Sequence, residues 1–150
     1  MAFDEKYRLT NDLLGKGQYG KVWRCVKNDD GENHAVKIIL TKNMKVKLLV
    51  GHNFEIIFQR KDFTAVHRES KIGLQLRHKN VVQMHDSYFH PSKYYLVFDL
   101  IVGGELFDDI VRRDHYSEEN ASKMIKQVME AMKFCHGLGI VHRGRLIFQF

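Results

Sequence analysis

The segment Gly15-Lys16-Gly17-Gln18-Tyr19-Gly20-Lys21-Val22 constrains this chain more than any other. Glycines at this spacing leave the backbone bare of Cβ atoms, so it can close on a phosphate group, and the valine that follows can cover a base. A G-x-G-x-x-G run also opens dinucleotide-binding folds, but there a strand leads into it and a helix leads out. Here β-prone stretches stand on both sides, Tyr7 to Leu14 before it and Lys21 to Lys27 after it. Two strands around a glycine-rich turn argue against the dinucleotide fold and for a hairpin that folds over its ligand.

The pattern continues as short strands. Asn28-Asp29-Asp30-Gly31 turns the chain into a third strand, His34 to Leu40. Asp62 to Leu76 has helical spacing, with Phe63, Val66, Ile72 and Leu76 mostly on one face and Glu69 among them. Val81 to Ser87 and Tyr94 to Leu100 read as two more strands. After Gly103-Gly104 the period becomes helical. Glu105 to Arg113 forms a short helix, and Ser117 caps a longer one with Glu118 and Glu119 in its first turn. Its apolar stripe, Ala121, Met124, Ile125, Val128, Met132 and Cys135, reads as core, and Gly137 and Gly139 end it. Two segments disturb this plan: 43–61, which reads as an extra hairpin around Gly51-His52-Asn53, and the apolar stretch 144–150.

Composition narrows the function. The net charge of +6 is spread among many acids with no basic block, which argues against nucleic-acid binding. Cys25 and Cys135 lie far apart, as expected of reduced structural thiols. None of the nine histidines stands in a metal-ligand spacing, so no metal site is expected. The first residues have no apolar leader and no run approaches membrane-spanning length; the expected location is the cytoplasm.

Ala35-Val36-Lys37-Ile38 places a lysine between apolar residues on the third strand, where a protein kinase holds the α- and β-phosphates of ATP. Its partner should be a glutamate on the next helix. Glu69 is the natural candidate and Glu55 the rival. Further on, His142-Arg143 is followed by Gly144, where a kinase has the aspartate that acts as catalytic base.

The chain resembles the catalytic domain of calcium/calmodulin-dependent protein kinases, most closely type II. The phrases that carry the likeness are Arg24-Cys25-Val26-Lys27, Tyr95-Leu96-Val97-Phe98-Asp99-Leu100, Gly103-Gly104-Glu105-Leu106-Phe107, Asp109-Ile110-Val111 and Tyr116-Ser117-Glu118. The likeness covers Tyr7 to Lys42 and about Asp62 to Arg143, and it breaks at 43–61 and after Arg143. It implies that Phe98 is the gatekeeper beside the adenine and that backbone groups of Asp99 and Ile101 bond the base. Leu14, Val22 and Ala35 would then sandwich the ring, with Gly15, Gly17 and Gly20 over the phosphates. Glu105 and Asp108 match acidic positions that in the family meet basic residues of substrates or of the autoinhibitory segment.

The expected fold is α+β: a kinase N-terminal lobe over 7–100, with five antiparallel strands, one helix and the insertion 43–61. A hinge at 101–104 and the first helices of a C-terminal lobe over 105–150 follow. The parent activity is phosphoryl transfer from Mg-ATP to Ser or Thr hydroxyls of a protein substrate. His142 and Arg143 are a remnant of the catalytic loop without its base. Neither the metal ligands nor the calmodulin-binding segment is present in the sequence given, so no useful turnover is expected of it. The alternative is a non-enzymatic product that binds nucleotide or competes with a complete kinase.

Overall fold

The computed structural model describes residues 2–17, 20–40, 61–103, 111 and 117–141. Five strands, β1 (Tyr7–Gly17), β2 (Gly20–Lys27), β3 (Asn33–Leu40), β4 (Met84–His90) and β5 (Lys93–Asp99), form one antiparallel sheet in the order β1-β2-β3-β5-β4. Helices α1 (Phe3–Lys6), α2 (Lys61–Gly73) and α3 (Glu118–Gly137) accompany them. The sheet with one packed helix is the architecture expected from the sequence. The segment 41–60, with its expected hairpin and Glu55, lies outside the described residues.

The chain divides into two units. The first contains residues 1–75 and 83–100, hence the sheet, α1 and α2. Because side chains alternate across a strand, the sheet builds two cores, one per face. On one face Phe3, Tyr7, Cys25, Val36, Ile38 and Val97 are buried, with Trp23, Tyr88 and Tyr95 against them. On the other, Ile39, Met84, Tyr94 and Leu96 pack with Val66 of α2, flanked by Leu74 and Phe98.

The four-residue helix α1 is not visible in the sequence pattern, yet it organises the first face. Phe3 stacks on Tyr95 with ring centroids 4.5 Å apart and meets Tyr7 at 5.7 Å and Tyr88 edge-on at 5.9 Å. Asp86 on β4 accepts the Lys6 ammonium at 2.8 Å and the Tyr7 hydroxyl at 2.5 Å. The Asn28 amide N–H donates to Lys6 O, and its side chain donates to Glu5 O. The N-terminal segment is thereby tied to β4, β5 and the β2–β3 turn.

The expected fourth strand shifts by three residues. Val81 and Val82 promise a strand by their branched side chains, but β4 begins at Met84. The two-residue turn Pro91-Ser92 pairs His90 with Lys93 and so fixes the β4–β5 register.

The second unit contains residues 76–82 and 101–150. Helix α3 begins as expected, with the Ser117 hydroxyl accepting the Asn120 N–H at 3.2 Å. It ends in a Schellman closure: Ile140 N–H donates to Cys135 O and Gly139 N–H to His136 O, with Gly139 at φ 71°. The 76–82 segment docks on it through Lys79–Glu130 at 3.0 Å, Asn80 to Gln127 O, and His78 stacked on Phe134. Of the expected stripe, Ala121, Met124, Val128, Met132 and Cys135 are half-buried and Ile125 is largely exposed, while the fully buried residue is Ala131, outside the stripe.

Candidate nucleotide-binding site

The register of the sheet brings the expected site residues into two adjacent rows on the α2 face. Gly15 pairs with Val22, Val22 with Lys37, and Lys37 with Leu96, so the first row crosses four strands. One step along lie Arg24, Ala35, Phe98 and Met84, again successive cross-strand partners. Strand alternation makes this one face, which carries the glycine turn, the lysine, the small Ala35 and the Phe98 ring together. Leu14 sits at a register shift between Leu13 and Gly15, an irregularity of the kind that re-aims a side chain, and is 40% exposed.

The glycines differ in what they are for. A Cβ on Gly15 would meet nothing within 4 Å, so this position leaves open space. A Cβ on Gly20 would lie 2.2 Å from the Ile38 carbonyl oxygen. The sequence reading gave all three glycines to phosphate approach; for Gly20 the neighbouring β3 backbone is reason enough. Gly17 pairs with Gly20 across the turn, and residues 18 and 19 lie outside the described residues. Gly20→Ala is accordingly expected to cost about 1–3 kcal/mol in urea unfolding, the usual range for forced overpacking. Gly15→Ala should stay within about 0.5 kcal/mol.

Lys37 is half-buried and Glu69 is exposed, and among the described residues no ion pair joins them. Helix α2 is seated on other groups. Ser70 is buried, its hydroxyl donating to His67 O at 2.8 Å and lying 3.0 Å from the Tyr94 hydroxyl. Glu69, one residue earlier and about 100° round the helix, faces away from that seat. The expected Lys37–Glu69 contact is therefore absent in this arrangement.

At the end of β5, Asp99 donates its N–H to Gln83 O at 3.0 Å. Ile101 belongs to the second unit and is 36% exposed. Glu105, Asp108, His142 and Arg143 lie outside the described residues. Among the described residues no cluster of three or more His, Cys, Asp or Glu side chains could hold a metal ion. No helix among them is long and apolar enough to cross a membrane.

The family profile described as Protein kinase domain matches residues 9–144. This chain belongs to the protein kinase domain family. It is 42% identical over 141 residues to calcium/calmodulin-dependent protein kinase type II of Caenorhabditis briggsae, covering 94% of this chain and 24% of that protein. The likeness to the same kinase of Caenorhabditis elegans is 43% over 141 residues, covering 94% of this chain and 18% of the relative. The chain thus spans about a quarter or less of the curated relatives it matches. Among solved structures, Rad53 in complex with AMP-PNP superposes with a TM-score of 0.75 at 23% identity, over 95% of this chain and 33% of the other. That likeness speaks for the fold.

Proposed function

We propose that this chain is the ATP-binding portion of a serine/threonine protein kinase similar to the calcium/calmodulin-dependent enzymes. The observation that carries the reading is the row Gly15–Val22–Lys37 with Ala35 and Phe98 beside it. Such a face offers bare backbone and one cation to phosphates, and an apolar strip to a base. Asp99 and Ile101 would bond the base through their backbones, with Leu14 beside the ring. Glu105 and Asp108 would meet basic groups of a protein substrate or an autoinhibitory segment. The polypeptide would work in the cytoplasm.

Bound Mg²⁺ supplies charge stabilisation to phosphoryl transfer, and none of the described residues forms a site for it. Gly144 stands where the sequence pattern calls for a catalytic base. For residues 1–150 we therefore read nucleotide binding without turnover, which also suits a fragment that competes with a complete kinase. Titration of residues 1–150 with a fluorescent ATP analogue tests this. Saturable binding displaced by ATP is expected, and Lys37→Ala should weaken it roughly tenfold or more, since hydrogen bonds to charged groups contribute about 1.5–3 kcal/mol. Equal affinity in the two proteins would remove the site from this face.

A further inference from the structure

Asp99 is held to the start of β4 by both its backbone and its side chain. Its Oδ2 accepts the Gln83 N–H at 3.1 Å, and its Oδ1 lies 2.6 Å from His85 Nε2. Its own N–H returns to Gln83 O at 3.0 Å. A carboxylate can only accept at neutral pH, so Nε2 of His85 is the protonated nitrogen. The ring is confined on its other side by His34, whose ring centroid lies 4.8 Å away.

We propose that His85 is a positioning residue for the nucleotide base. By fixing the Asp99 carboxylate, His85 and Gln83 hold the end of β5 whose backbone would bond the base; the proposal rests on the nucleotide reading above. Both side chains are partly exposed, 35% for His85 and 42% for Asp99, so the pair contributes geometry more than stability.

Asp99 faces His85 from β5 and His34 faces it from β3, with Glu32 Oε2 3.4 Å from His34 Nε2. Tyr7 of β1 meets His34 edge-on at 5.6 Å, and Cys25 of β2 is the cross-strand partner of His34. Asp86, next on β4, is engaged by Lys6 and Tyr7.

The test uses residues 1–150 and adenosine, which carries the base without phosphates. His85→Ala should weaken adenosine binding about three- to tenfold, the effect of one lost hydrogen bond. His85→Gln keeps an N–H donor, so it should bind within about twofold of the wild type. A His85→Gln variant that binds as weakly as His85→Ala overturns the assignment. Amide exchange at Gln83 and Asp99 reads the clamp without ligand and should accelerate in His85→Ala. Unchanged exchange overturns the proposal, as does faster exchange with unchanged affinity. Wild-type protein that binds no adenosine, while exchange still accelerates in the variant, refutes the nucleotide reading and the positioning role with it but leaves the clamp standing.

Discussion

Phe3→Ala is expected to cost about 3–5 kcal/mol, the range for deleting a buried aromatic side chain. A residue three positions from a chain end ordinarily contributes little, because termini fray. Phe3 is different: it is 3% exposed and lies between Tyr95, Tyr7 and Tyr88. Aromatic pairs add about 0.5–1.5 kcal/mol beyond burial, and the ring has three. Its loss would also loosen the hold of Lys6 and Tyr7 on Asp86. Domains of this size are stable by only about 5–15 kcal/mol, so the change is a large share of the total. Urea unfolding of wild type, Phe3→Ala and Phe3→Leu measures it, and Phe3→Leu should retain much of the loss as buried apolar contact. If Phe3→Ala shifts stability by under about 1 kcal/mol, the first face does not depend on α1.

Much of this architecture could be read from the residues, and the parts that could not share a physical cause. Strand identity follows from alternation and turn chemistry, both local, so the strands that carry Val22, Ala35 and Lys37 are legible in the residues. Wherever a non-local contact decides, the pattern is silent. Helix α1 has four residues, too few for a period, and it forms because Phe3 finds Tyr95, more than ninety positions later. The spacing of Phe3 and Tyr7, one helical turn apart, is the only trace of it in the sequence.

The Lys37–Glu69 pair failed for the same reason. Periodicity places Glu69 on a helix but leaves the rotation of that helix free, and the Ser70–Tyr94 contact with the Val66 packing sets it. The His85–Asp99 contact was equally hidden. His85 falls in an irregular step between Met84 and Asp86, where strand parity no longer says which way a side chain points.

Raising the pH should destabilise the first unit between about pH 9 and 12. Burial pushes the Cys25 thiol from its ordinary 9.0 up to about 11. Burial first, and then the Asp86 carboxylate, raises the Tyr88 phenol to about 12. Tyr7 is raised further by burial and by its bond to Asp86, and Tyr95 in the same direction by burial. The sign follows from proton binding. Each group holds its proton more tightly folded than unfolded, so its contribution is complete below the unfolded value and is lost as pH rises through the folded one. For Cys25, fully buried, that loss runs from pH 9 to about 11 and is worth about 3 kcal/mol. The tyrosines extend it from pH 10 upward, and Tyr7 and Tyr88 share Asp86, so their losses reinforce one another. Urea midpoints measured from pH 8 to 12 should fall steeply above pH 9, while Cys25→Ala, less stable at pH 8, should fall less between pH 9 and 11. A midpoint that stays level to pH 11 in the wild type would mean that Cys25 and the tyrosine cluster reach water in the folded protein, and the packing of the first face would have to be revised.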